Sequence, residues 1–159
     1  LGADRWVALI GARARLLASG PPRPALVVMI GTAATVDAID ADGRFIGGVI
    51  MPGLRPSADH LTRRAAKLPA TELRPPERVI GRRTEECIRA GVLFGAADAA
   101  DGMLRRIFAE WPTGTKPVVI ATGGLAGIIA PFSTLIRQIE PDLTLRGLRI
   151  AASHLGLRW

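Results

Sequence analysis

The chain has 159 residues, with 21 Lys+Arg against 14 Asp+Glu and a formal net charge of +7. Hydrophobic residues make up 48% and charged residues 22%, which is the composition of a chain with a core and not of a disordered one. A lone cysteine, Cys87, excludes a disulfide scaffold and a cysteine-based zinc site, and two widely separated histidines, His60 and His154, argue against a histidine-centred metal cluster.

In chain order, residues 3–19 read as an amphipathic helix. Trp6, Leu9, Ile10, Leu16 and Leu17 are set between Arg5, Arg13 and Arg15, and Gly20-Pro21 stops the run. Leu26 to Ile30 is a continuous apolar run and reads as a buried strand. Gly31 to Thr35 reads as a tight turn and Val36 to Asp40 as a second strand. Asp42-Gly43 is a hairpin signal, and Arg44 to Met51 is a third strand containing Gly47-Gly48 and ended by Pro52-Gly53. Ser57 to Lys67 is predicted as a helix capped by Ser57. A loop with Pro69, Pro75 and Pro76 leads to Thr84, read as the N-cap of a long helix through Ile88, Val92, Ala96, Ala99, Met103 and Ile107. Val118 to Ala121 is a short buried strand, and Thr122-Gly123-Gly124 turns it into a helix. Pro141-Asp142-Leu143-Thr144 opens a final segment to Trp159.

The basic residues are nearly all arginine and are scattered, and no aromatic residue interleaves with them to stack on bases, which argues against nucleic acid as partner. No apolar run reaches the roughly 18 residues of a membrane span, and no signal peptide is evident, so a soluble cytoplasmic protein is expected. The order of elements predicts an α/β fold, with a three-stranded antiparallel start followed by helices and a further strand. This resembles the ribonuclease-H-like unit of the acetate and sugar kinase, Hsp70 and actin superfamily.

A succession of short motifs is more specific than the pattern. Gly2-Ala3-Asp4-Arg5, Gly31-Thr32-Ala33-Ala34-Thr35-Val36-Asp37, Gly47-Gly48-Val49-Ile50-Met51-Pro52-Gly53 and Lys67-Leu68-Pro69 occur in that order. Gly81-Arg82-Arg83-Thr84, Ala121-Thr122-Gly123-Gly124 and Pro141 to Leu148 follow. The succession resembles type III pantothenate kinase, the family that includes the Bvg accessory factors, from Gly2 to about Ala151.

The resemblance implies ATP-dependent phosphorylation of pantothenate, the first step towards coenzyme A, in a cytoplasmic homodimer. It makes Asp4 the general base, with Gly2, Ala3, Arg5 and Thr84 at the pantothenate site and Thr32, Thr122, Gly123 and Gly124 at ATP. Read from the residues alone, Asp4 is equally an N-cap, Arg5 an exposed helix-start charge, and the Gly31 turn an ordinary hairpin. Asp37 could reach a Mg²⁺-bound water, although a strand-end carboxylate accounts for it as well. Gly91 and Gly95 permit close helix packing and so a dimer contact.

Two departures follow from the same resemblance. Met29 stands where the family places an aspartate that ligates K⁺ or NH₄⁺, and a thioether is a poor partner for a hard cation. The family's Asp-x-Gly-Asn-Thr phosphate loop, which holds ATP and Mg²⁺, is not found between Leu1 and Trp159. The expectation is therefore the C-terminal ribonuclease-H-like domain of a two-domain kinase, incomplete for catalysis by itself. The alternative is a non-catalytic, Bvg-accessory-factor-like binding or regulatory protein.

Overall fold

The computed structural model describes residues 1–65, 68–112 and 114–157. Their elements are α1 (Ala3–Leu17), β1 (Ala25–Ile30), β2 (Ala33–Ile39), β3 (Phe45–Pro52), α2 (Leu54–Arg64), α3 (Thr84–Glu110), β4 (Val118–Thr122), α4 (Ala126–Ile129), a 3₁₀ turn (Ala130–Phe132), β5 (Gln138–Ile139) and α5 (Leu143–His154). Among the described residues the strands form one sheet in the order β3-β2-β1-β4-β5. The β1–β2 and β2–β3 pairs are antiparallel, whereas β1–β4 and β4–β5 are parallel. The predicted antiparallel start and returning strand are both present.

Central strand β1 is apolar throughout because helices cover both sides of it. On one face α1 and α5 close over Ala25, Val27, Ile39, Ile120 and the half-buried Met29. On the other, α2, α3 and α4 pack on Leu26, Val28, Ile30, Val36, Ala38 and Ala121. Edge strand β3 alternates half-buried and exposed positions along its length, as expected for a strand covered on one face.

Several boundaries differ from the sequence reading. The turn after β1 is only Gly31-Thr32, and β2 starts at Ala33. Helix α2 starts at Leu54 with Gly53 as its N-cap; Ser57 lies inside the first turn, where its hydroxyl donates to the Gly53 carbonyl at 2.8 Å. The predicted end of that helix, Lys67, lies outside the described residues, as does Trp159. Thr84 is the first helical residue of α3 and not its cap; Arg83 is the N-cap, and the Glu86 carboxylate accepts the Arg82 N–H at 2.8 Å. After Gly124 the predicted helix is a single turn, α4, followed by the 3₁₀ turn.

Helices α1 and α5 cross with their backbones in contact. A Cβ on Gly147 would lie 1.6 Å from the Val7 carbonyl oxygen, and one on Gly11 would lie 2.2 Å from that of Leu143. The glycine of the Pro141–Leu148 motif is therefore a packing residue.

A second fixture is Asp101 on α3, a residue only 3% exposed. It accepts the Ser133 hydroxyl, the Thr134 hydroxyl and the Thr134 N–H, the last at 2.7 Å. Burial pushes this carboxyl up, but the hydrogen bonds from Ser133 and Thr134 outweigh it and hold the group below its usual value of 3.8. A carboxyl lowered on folding contributes stability above its unfolded pKa and loses it as pH falls through the folded value. Urea midpoints of the wild type should therefore drop in acid more steeply than those of Asp101→Asn; parallel curves would contradict this assignment.

Candidate active site

Because β1 and β4 are parallel, their C-terminal ends face the same way, and this is where open α/β sheets bind ligands. Three glycine turns meet there. Gly123 has φ +97°, a left-handed conformation, and a Cβ on it would lie 2.5 Å from the Ile30 carbonyl oxygen. Leu125 N–H donates to the same oxygen at 3.2 Å, so the turn after β4 rests on the last residue of β1. Gly53 closes the third side: its Cβ would lie 2.2 Å from the Thr32 carbonyl oxygen and 2.5 Å from that of Gly31. The result is a tightly packed junction of main chain with few side chains on it, where Gly53 and Gly123 admit the neighbouring carbonyls of Gly31, Thr32 and Ile30. Thr32 is exposed at this junction, and the Cβ position of Gly124 has open space around it. Thr122 is fully buried, and its hydroxyl faces the Pro141 carbonyl at 3.5 Å.

Helix α1, which packs on one face of the sheet, carries Asp4 in its first turn. Gly2 is the N-cap, no side chain caps the helix, and Asp4 lies exposed in the first turn. This corrects the capping reading of Asp4. Its carboxylate folds back over Gly2, with Oδ1 2.8 Å from where a Gly2 Cβ would stand. Among the described residues it accepts no side-chain hydrogen bond, so it is a free carboxylate on a rigid helix start.

Arg5 is not the exposed charge of the plain reading. Its guanidinium is bidentate on Asp37, with Nε 3.0 Å from Oδ2 and Nη2 against Oδ1. Thr35 Oγ1 donates to Asp37 Oδ2 at 3.1 Å. Asp37 lies inside β2, 1% exposed, and not at a strand end. The hydrogen bond to Asp37 raises the Arg5 pKa further, outweighing burial. Gly48, opposite Asp37 in the β2–β3 register, leaves room for the pair: a Cβ there would lie 2.7 Å from Asp37 Oδ1. The pair ties the start of α1, and with it Asp4, to the sheet. Asp37→Ala should cost about 2 kcal/mol, less than a fully buried pair because Arg5 can still reach water. Chemical unfolding checks this, and a loss below about 0.5 kcal/mol would contradict it.

The pair was invisible to sequence reasoning because its partners stand 32 residues apart. One signal existed: an aspartate flanked by Val36, Ala38 and Ile39 in a buried strand requires a partner. Thr84 is not brought to Asp4. It is exposed at the start of α3, whose buried side chains pack on the sheet face opposite α1. Among the described residues no group of three or more His, Cys, Asp or Glu could hold a metal ion, and no helix is long and apolar enough to cross a membrane.

Residues 1–106 match the model of the family described as type III pantothenate kinase. The chain is 44% identical over 153 residues to type III pantothenate kinase 1 of Symbiobacterium thermophilum, which covers 94% of this chain and 56% of that protein. The chain spans about half the length of the curated relatives it matches. Among solved structures it superposes on a Campylobacter jejuni protein described as a Baf family transcriptional activator, with TM-score 0.62 and 20% identity over 98% of this chain and 65% of that one. A Sinorhizobium meliloti protein described as a 2-dehydro-3-deoxygalactonokinase gives TM-score 0.59 and 17% identity, covering 94% and 58%. These two likenesses concern the fold alone and bear out the expected sugar-kinase architecture.

Proposed function

The chain belongs to the type III pantothenate kinase family, and from that premise we propose that the full-length protein transfers the γ-phosphate of ATP to the pantothenate hydroxyl. The observation that carries the reading is the free Asp4 carboxylate, fixed beside the sheet by the Arg5–Asp37 pair. Asp4 would accept the hydroxyl proton as the oxygen meets the γ-phosphorus, while the oxygen bridging the β- and γ-phosphates leaves with ADP. Gly2 and Ala3 would give the substrate access to Asp4, and Arg5 would serve by positioning. The turns bearing Thr32, Gly123 and Gly124 would take ATP through main-chain N–H groups; Thr122 would contribute its backbone, its hydroxyl being turned to Pro141.

In this reading the chain is the C-terminal half of a two-domain kinase, with the phosphate loop on the other half; it spans 56% of the length of one relative. Mg²⁺ would accompany ATP. Asp37 is engaged by Arg5 and the described residues include no group of three or more carboxylates, histidines or cysteines for it, so the metal's protein ligands would come from the other half. A homodimer would let a second copy supply Thr84. The exposed Val79 and Ile80 in the loop before α3, 69% and 83%, and the open Gly91 and Gly95 on α3 support such a contact. The cytoplasm is the proposed location.

The monovalent cation does not fit. Met29 is half-buried in the apolar α1 face, and its register partners are Thr35 and Thr122, whose hydroxyls face Asp37 and Pro141. Turnover should change less than about twofold when KCl is replaced by tetramethylammonium chloride; a large activation by K⁺ would contradict this. The function itself is tested by following 4′-phosphopantothenate formation from ATP and pantothenate with the full-length protein. Binding of both substrates without turnover would overturn it in favour of the non-catalytic alternative.

A further inference from the structure

The segment from Gly123 to Ile136 has little regular structure, consisting of one α-helical turn, one 3₁₀ turn and an extended stretch. Three anchors hold it. At the near end Leu125 N–H is bonded to the Ile30 carbonyl. In the middle Ile129 is fully buried and Phe132 packs edge-on against Phe94 of α3, with ring centroids 5.0 Å apart. At the far end stands Asp101. Its carboxylate takes both hydroxyls of Ser133 and Thr134 and the Thr134 amide, and Ser133 Oγ in turn accepts Leu135 N–H at 3.2 Å and Ile136 N–H at 2.9 Å.

The first two anchors are a backbone bond and apolar contact. The third is a buried charge, and for stability alone an apolar residue at this position of α3 would serve as well. What the carboxylate adds is direction. Three donors converge on two fixed oxygens, and one of those donors relays the constraint to two further amides. This fixes how the chain leaves the 3₁₀ turn, at the opposite end of the segment from the Gly123-Gly124 turn, to which it is joined through α4. Arg105, with Nη1 4.0 Å away and exposed, is the one charged side chain within ion-pair distance among the described residues.

We propose that Asp101, acting through Ser133 and Thr134, is a positioning residue that pre-sets the nucleotide-contacting segment Gly123–Ile136 and so tunes affinity for ATP. The proposal rests on the reading that ATP lies on the Gly123-Gly124 turn. It concerns one substrate: the Asp4 side is anchored separately by Arg5–Asp37 on the other face of the sheet.

The test uses the full-length protein with Asp101→Asn. KM for ATP should rise about tenfold, as for loss of a charge-assisted hydrogen bond, with kcat and KM for pantothenate within about twofold of wild type. Without nucleotide, amide exchange should accelerate across residues 123–136 and stay unchanged in β2 and β3. If Asp101→Asn does not fold, Ser133→Ala, which keeps the carboxylate, should show the same selective pattern at about threefold. An unchanged KM for ATP, or exchange accelerated uniformly, would overturn the proposal by reducing Asp101 to a stabilising contact. ATP failing to protect Gly123 and Gly124 in the wild type would overturn the underlying reading instead, and is seen without any variant.

Discussion

Gly147→Ala is expected to cost at least about 3 kcal/mol of folding stability, above the usual range for an added methylene group. Overpacking is ordinarily absorbed by side chains that shift rotamer. Here the obstacle is the Val7 carbonyl oxygen, 1.6 Å from the new Cβ, with Gly11 N only 2.9 Å away. Neither can move without moving the backbone of α1. Separating the helices would open the cluster formed by Ala8, Leu9, Ala12 and Leu143, and it would also shift the helix that carries Asp4. A control sharpens the comparison. Gly102 lies inside α3 with nothing within 4 Å of its Cβ position, so Gly102→Ala should stabilise by about 0.5–1 kcal/mol. Urea unfolding of both variants checks this. A Gly147→Ala protein as stable as wild type would mean that the helix crossing is not as described.

The elements most legible from sequence were those specified locally. The apolar run Leu26–Ile30 and the Asp42-Gly43 signal placed β1 and the β2–β3 hairpin, and Gly43 indeed has φ +83° with its N–H on the Asp40 carbonyl. Helix α3 was legible because its apolar positions recur at helical spacing over many turns. What was missed depends on distant partners. Strand β5 has two residues and no pattern of its own; it exists because Gln138 and Ile139 pair with Ile120 and Ala121, and Glu140 N–H reaches the Ala121 carbonyl. Helix α2 starts three residues early because Gly53, pressed against the Gly31-Thr32 turn, takes the N-cap from Ser57.

The candidate site divides in the same way. Its glycines stood out as motifs, but their reasons are tertiary: Gly48 makes room for Asp37, Gly53 lies on Thr32, and Gly123 lies on Ile30. The two buried carboxylates among the described residues, Asp37 and Asp101, gave no local hint of their distant partners Arg5, Ser133 and Thr134, which lie 32 or 33 residues away. Asp4 was picked out only by its motif. The structure adds that it is uncapped and unpaired among the described residues, beside an arginine committed elsewhere.

That arrangement gives the second large effect. Asp4→Asn keeps the shape of the side chain but removes the proton acceptor, and loss of a general base lowers turnover by about 10²–10⁴-fold. Because Asp4 is exposed and makes no side-chain hydrogen bond among the described residues, the substitution should change stability by less than about 0.5 kcal/mol. Its effect should also fall on kcat more than on KM for ATP, since the Gly31, Gly53 and Gly123 turns are untouched.

The most direct measurement is the initial rate of ATP-dependent pantothenate phosphorylation by the full-length protein, wild type beside Asp4→Asn, with urea midpoints recorded for both. The account predicts turnover in the wild type, its near-complete loss in Asp4→Asn and matching midpoints. Robust turnover in Asp4→Asn, or none in the wild type, would contradict it.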